Sequence, residues 1–299
     1  MEFWSLVLGG YHPGMRVLIV GCGYVGLALG AELVKSGHEV SGLRRTAGTE
    51  GELQAAGIKP LVGDITKPQE LARFPSAYDW VVNCVASAGG GAEEYRKVYL
   101  QGTRNLIEWL SDDRPKTFVY ASSTSVYGQT DGSVVAESSP AEPVAETARV
   151  LRETEEVLLQ AAPDFPAVIL RVAGIYGPGR GHWFKQYLRG EATIEGDGGR
   201  ILNMVHRDDV VGAIIAALEN GRAGEIYNAA DDEPVSQLDF FRWLSGRLGK
   251  ELPPFAPEEA EIRKRGTTNK RVSNRKLTEE LGYQFKYPTF REGYGTELT

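Results

Sequence analysis

The 299-residue sequence predicts an α/β protein: a doubly wound parallel sheet covered by helices on both faces, with a small C-terminal substrate-domain lid. Three observations carry this. Short apolar runs closed by glycine or polar residues alternate with stretches of helical periodicity through the first half of the chain. The first run, residues 17–20, leads into Gly21-Cys22-Gly23-Tyr24-Val25-Gly26, after which Val25, Leu29 and Leu33 recur at helical spacing. From Gly174 the rhythm breaks into turns rich in Gly and Pro, at Gly177-Pro178-Gly179, Gly181 and again across 196–199.

An apolar run that short and without alternation is a strand buried on both faces. Strand, glycine turn and helix in that order form the context in which G-x-G-x-x-G binds a dinucleotide. Gly21 permits the tight turn, Gly23 lets the backbone approach a pyrophosphate, and Gly26 lets the helix pack on the strand. Tyr24 and Val25 open the helix whose free N–H groups face the phosphates.

A second strand, 38–43, ends in Arg44-Arg45. About 20 residues past the glycines an acidic residue would hold an NAD ribose hydroxyl. Two arginines stand there instead, and a guanidinium pairs well with phosphate, so Arg44 and Arg45 favour NADP over NAD. The third strand, 58–62, closes at Gly63-Asp64-Ile65; Asp64 either sits beside the adenine or caps the next turn, and Ile65 shares that corner. The fourth, 80–85, runs through Asn83 and places Cys84, Val85 and Ala86 at the cofactor. Residues 93–110 read as a helix with Tyr95, Val98, Tyr99, Leu106 and Leu110 partly on one face. A fifth strand at 118–121 runs into Ser122-Ser123-Thr124-Ser125, a helix covers 142–161, and a sixth strand covers 168–172. The dinucleotide-binding domain is therefore expected over 15–175. Residues 176–299 are mostly lid, with 208–228 returning to the sheet as a helix and a seventh strand.

A net charge of −7, with 42% hydrophobic and 24% charged residues, is ordinary for a soluble protein and argues against a nucleic-acid partner. No apolar run approaches the ~18 residues that span a bilayer, so no membrane partner is expected. Two cysteines suggest neither a disulfide framework nor a metal site, and a reducing cytoplasm is the default location. Cys22 reads as an inert filler of its turn. Residues 1–14 stand outside the plan as an N-terminal extension without the basic start or cleavage site of a signal peptide, and Met15 is a second candidate start.

By Ser122-Ser123-Thr124-Ser125-Val126-Tyr127-Gly128 an ordered set of motifs has accumulated. It includes the glycine turn, Gly63-Asp64, Gly102-Thr103-Arg104-Asn105-Leu106, Arg171 with Ile175-Tyr176-Gly177-Pro178-Gly179, and Val205-His206-Arg207-Asp208-Asp209-Val210. The chain resembles the extended short-chain dehydrogenase/reductases, the NAD(P)-dependent epimerase/dehydratase group. The resemblance implies a Rossmann sheet, a C-terminal substrate domain, and dimerisation through the helices beginning near Glu93 and Glu142. It also implies a tyrosine that trades a proton with a substrate hydroxyl, a lysine one turn later, and a Ser or Thr on the same oxygen.

Ser123 matches the Ser/Thr position. At the spacing usual in epimerases, however, Ala148 replaces the tyrosine and Arg152 the lysine, and no tyrosine occurs between Tyr127 and Tyr176. Alanine transfers no proton, and arginine is no base, although Arg152 keeps a cation for the nicotinamide ribose or a substrate anion. The G-x-G-x-x-G spacing also departs from the family's usual G-x-x-G-x-x-G. The chain is thus identified as an atypical member.

Substitute chemistry has few candidates. Tyr176 offers a phenol, or is a structural turn aromatic. Ser123 orients a substrate carbonyl, or bonds the backbone at the strand end. His206 is an acid/base candidate better read as positioning the lid, with Asp208 and Asp209 capping the helix that follows. Basic residues at 263–265, 270–271 and 274–276 either meet an anionic substrate or form a solvated face. Two functions are expected from this: an NADP-dependent oxidoreductase or epimerase/dehydratase-like enzyme acting on a small polar, perhaps nucleotide-sugar-like molecule, or a non-catalytic NADP(H) sensor.

Overall fold

The computed structural model describes residues 14–87, 89–257 and 268–298. Apart from Gly14, the N-terminal extension lies outside the described residues, as does the basic stretch 263–265.

Seven parallel strands form the central sheet: β1 (Arg16–Val20), β2 (Glu39–Arg44), β3 (Lys59–Val62), β4 (Trp80–Asn83), β5 (Thr117–Ser123), β6 (Ala167–Val172) and β7 (Ile226–Ala229). Their spatial order is β7-β6-β5-β4-β1-β2-β3, so the winding reverses at β1. Successive residues of a strand point to opposite faces, so the unbroken apolar runs feed two cores at once. Val17 and Ile19 join one, with Leu29 and Leu33 of α1 (Tyr24–Lys35). Leu18 and Val20 join the other, with Leu106 and Leu158.

Those two leucines come from the helices of the second face. The helix over 92–109, α2, is α-helical over Ala92–Tyr95, π-helical over Arg96–Gln101 and α-helical again over Gly102–Trp109. Beside it lies α3 (Glu146–Ala161). After β6 come α4 (His182–Leu188) and α5 (Arg207–Asn220); α5 returns to the first face and delivers β7 to the sheet edge beside β6. A third, largely aromatic core joins Tyr176, Phe184 and Tyr187 to Phe240 and Phe241 of α6 (Gln237–Leu248) and to Phe290 and Tyr294 of α7 (Phe290–Gly295).

The cap of α5 differs from expectation. His206, not Asp208 or Asp209, is the N-cap, its Nδ1 accepting the Asp208 N–H at 3.1 Å. Asp209 is buried and accepts the Tyr283 hydroxyl (2.7 Å) and the N–H groups of Lys286 and Tyr287 (2.6 and 3.0 Å). It ties the C-terminal segment to α5 through long-range contacts that local spacing does not reveal.

Candidate functional site

Two adjoining cavities lie at the carboxyl ends of the strands. The first, about 520 Å³, is walled by the glycine turn, the end of β2 and the loops after β3 and β4. This is the switch-point crevice where doubly wound sheets bind ligands. Gly21 has φ +84°, and a Cβ there would stand 2.6 Å from the Val85 backbone, so only glycine fits the turn. A Cβ on Gly23 would meet nothing nearer than the Gly21 oxygen at 3.9 Å, which leaves its backbone open to the cavity. Gly26 lies against Ile19 and Cys84 and serves packing; it does not line the cavity. This open, glycine-walled cradle fits a dinucleotide pyrophosphate.

Tyr24, Val25, Arg44, Arg45, Asp64, Ile65, Cys84, Val85 and Ala86 line the same cavity. Their engagements differ. Tyr24 Oη donates to the Pro178 carbonyl at 3.1 Å and clasps the loop after β6 to the glycine turn. Arg44 donates to the Cys22 carbonyl and pairs with Glu52 at 2.8 Å, while Arg45 lies more open, its nearest carboxylate Glu94 at 3.7 Å. Asp64 accepts the Thr66 N–H at 2.9 Å, so it caps its turn and walls the cleft together. Burial pushes the Cys22 thiol up to about 11 and the Cys84 thiol up to about 12, which disfavours the thiolate.

The second cavity, about 740 Å³, shares Ser122, Val172, Ile175 and Arg180 with the first. Tyr95 and Tyr99 of α2, Ala148 and Leu151 of α3, Ser123, Thr124 and Lys270 also wall it. Ser123 Oγ accepts the Ser125 N–H at 3.2 Å, a local turn contact that leaves its hydrogen to donate. Lys270 is 6% exposed; its Nζ donates to the Tyr127 carbonyl at 3.0 Å, and burial, helped by nearby Arg200, pulls its pKa down to about 8.

Two expected site residues are engaged otherwise than expected. Arg152 lines neither cavity; its guanidinium is turned to Glu155 (3.7 Å) and Glu156 (3.4 Å) on its own helix. Tyr176 touches the second cavity but is 1% exposed, stacked on Tyr294 at 4.4 Å, with its hydroxyl donating to the Thr289 carbonyl at 3.4 Å. Burial raises its pKa far above the usual phenol range, the opposite of what proton transfer near neutral pH needs. His206 is likewise buried, held neutral by burial that lowers its pKa to about 4, and occupied as a helix cap.

Arg180 is the residue that sequence reasoning missed. It lies at the junction of both cavities with its guanidinium 5.0 Å from the Tyr24 ring centroid. Its only sequence signal is a cation within a Gly- and Pro-rich loop. Tyr95 and Tyr99, read as helix packing, also reach the cavity, Tyr95 just before the π-helical segment and Tyr99 within it.

A doubly wound sheet with a glycine-walled cleft at its switch point defines an NAD(P)-binding Rossmann protein. The model of the NAD dependent epimerase/dehydratase family matches residues 17–230, and the chain belongs to that family. It is 30% identical over 280 residues to Protein YeeZ of Escherichia coli (strain K12), covering 91% of this chain and 96% of that one. It is 26% identical over 311 residues to a 3-diazoavenalumate denitrifying reductase of Streptomyces sp, covering 95% of this chain and 100% of that one. Among solved structures, a double mutant of DesIV (dTDP-glucose 4,6-dehydratase) from Streptomyces venezuelae, with NAD and DAU bound, is similar with a TM-score of 0.83 at 25% identity. That likeness covers 95% of this chain and 96% of the other. Within this family of reductases, dehydratases and epimerases, the chain is an atypical member. No described helix is long and apolar enough to cross a membrane.

Proposed function

We propose that the chain is an NADPH-dependent oxidoreductase acting on a small, polar, anionic carbonyl compound or the corresponding alcohol. One observation carries the reading. The described wall of the second cavity presents Arg180, Lys185, Arg200 and Lys270 and no carboxylate, in a protein of net charge −7. That local reversal of sign draws an anionic molecule to the space beside the dinucleotide cleft.

Bound NADPH supplies a hydride. Gly21 and Gly23 would present backbone to the pyrophosphate, Asp64 and Ile65 would flank the adenine end, and Cys84, Val85 and Ala86 would wall the opposite side. Arg45, with Arg44 behind it, would hold the 2′-phosphate. Ser123 Oγ donates a hydrogen bond to the substrate oxygen. Tyr176 and Arg152 hold structure. The full-length likeness to a reductase supports reduction over sugar epimerisation or dehydration. A charged second cavity would have little use in a plain cofactor sensor.

Calorimetric titration with NADPH and NADH, then NADPH oxidation across aldehydes and ketones with and without a carboxylate or phosphate, tests this. The expected result is NADPH binding that disappears in Gly23→Asp, together with turnover confined to anionic carbonyls. Tight binding with no turnover across the panel would favour the sensor instead.

A further inference from the structure

Reducing a carbonyl adds a hydride to carbon and a proton to oxygen. The first is the cofactor's part; the second must come from the protein, and Ala148 has no proton to give. Four phenols line the second cavity: Tyr95, Tyr99, Tyr176 and Tyr294. Tyr176 is buried and donates to Thr289, and Tyr294 is buried in the stack against it. Tyr99 Oη accepts the Ser87 N–H at 3.0 Å. Of the two half-buried phenols, Tyr95 alone makes no hydrogen bond through its hydroxyl to any described residue. Its half-buried ring leans on Tyr99 with centroids 4.9 Å apart.

Its position matches the gap. Tyr95 closes the first α-helical stretch of α2, immediately before the π-helical segment, an irregularity that recurs at functional sites. The next residue, Arg96, grips Glu153 of α3 with both terminal nitrogens, at 2.5 and 3.0 Å. That clamp holds α2 against α3, so Tyr95 and Ala148 face one cavity from adjacent, packed helices. Lys270 is less suited, because its ammonium is directed to the Tyr127 carbonyl, at the far end of the turn that begins at Ser123.

We propose that Tyr95 gives the substrate oxygen the proton that a tyrosine at position 148 would give. The assignment rests on the NADPH-dependent reading above. The Tyr95 O–H bond breaks as the new O–H bond of the alcohol forms. Ser123 Oγ donates a hydrogen bond to the same oxygen, and the phenolate recovers a proton from solvent.

A phenol that works beside the nicotinamide must feel the positive ring of NADP⁺, which favours the phenolate. The test is a pH titration of tyrosine ¹³Cζ resonances in the full chain, with and without NADP⁺. The Tyr95 signal is identified as the one absent from Tyr95→Phe, and Tyr99→Phe serves as the comparison. Tyr95 is expected to deprotonate about one pH unit or more lower when NADP⁺ is bound, with a smaller change at Tyr99. An unmoved Tyr95 titration in protein that calorimetry shows to be loaded overturns the assignment and leaves the cofactor reading intact. Failure of NADP⁺ to bind at all overturns both.

Discussion

Arg171 and Glu155 meet as a fully buried ion pair, with Arg171 Nη2 donating to Glu155 Oε2 at 2.7 Å and Nε to Oε1 at 3.0 Å. The pair pins α3, which walls the second cavity, to β6. Ser122, shared by both cavities, donates to the same carboxylate at 2.6 Å, and the Arg171 guanidinium lies 4.8 Å from the Tyr127 ring centroid. Burial alone would disfavour the Arg171 charge; the Glu155 contacts outweigh it and hold the pKa above the ordinary range. Such a pair is costly to break from one side, because the survivor stays buried and charged. Glu155→Ala should therefore lose about 3–5 kcal/mol of unfolding free energy. Glu155→Met combined with Arg171→Met should recover most of that in urea denaturation. A single variant within about 1 kcal/mol of the parent would show that the pair does not secure the helix.

The paired arginines after β2 divide the cofactor question. The Arg44 side chain is 14% exposed and clamps the glycine turn to Glu52, whereas Arg45 is 55% exposed and pairs only distantly. Arg45→Ala should weaken NADPH binding about tenfold, the effect of roughly 1.4 kcal/mol, and leave NADH binding unchanged. Arg44→Ala should weaken both cofactors and lower the melting temperature, since it loosens the turn itself. Equal affinities for NADPH and NADH that neither substitution alters would remove the NADP assignment.

The sheet was legible because its strands are buried on both faces: residues 17–20, 80–82 and 168–170 are apolar without alternation, and each is followed by a turn residue or a polar side chain. The glycine turn was legible from its strand–turn–helix context, although the backbone that excludes a Cβ at Gly21 belongs to Cys84 and Val85 after β4. What sequence could not show are the directions of long side chains. Spacing put Arg152 one turn past Ala148, but the carboxylates of Glu155 and Glu156 on its own helix draw it aside. Tyr95 and Tyr99 looked like packing because a helical face does not reveal that a cavity opens beyond it. Lys270 meets its carbonyl partner at Tyr127, 143 residues away in sequence.

His206 makes the fold sensitive to acid. It caps α5 as a neutral ring, and Asp208, Arg207, Lys286 and Tyr287 surround it. Burial lowers its folded pKa from 6.5 to about 4, so between those values the unfolded chain binds the proton more readily than the folded one. The resulting stability is complete above about pH 6.5, declines as pH falls from there, and is spent below about pH 4, up to roughly 3 kcal/mol in all. His206→Asn keeps an N-capping acceptor and has no titrating ring. Chemical denaturation at a series of pH values should show a shallower acid decline in that variant. Parallel curves for the two proteins would mean the ring does not titrate within that window.

Lys270 sets stability against binding. Its ammonium is buried, faces a carbonyl rather than a carboxylate, and carries a pKa lowered from 10.5 to about 8 by burial and by Arg200. At neutral pH the folded protein therefore bears the cost of an ion that the unfolded chain keeps in water. That cost eases as pH rises from about 8 toward 10.5, where the unfolded chain still holds a proton that the folded chain has released. Lys270→Met, which keeps the length of the apolar stem, should raise stability at pH 7 by about 1–3 kcal/mol and flatten the rise on the alkaline side. If the charge is retained to receive an anion, pyrophosphate should raise the melting temperature of the parent and have a weaker effect on the variant. A variant less stable than the parent at pH 7, or one equally stabilised by pyrophosphate, would make Lys270 a structural donor to Tyr127 and nothing more.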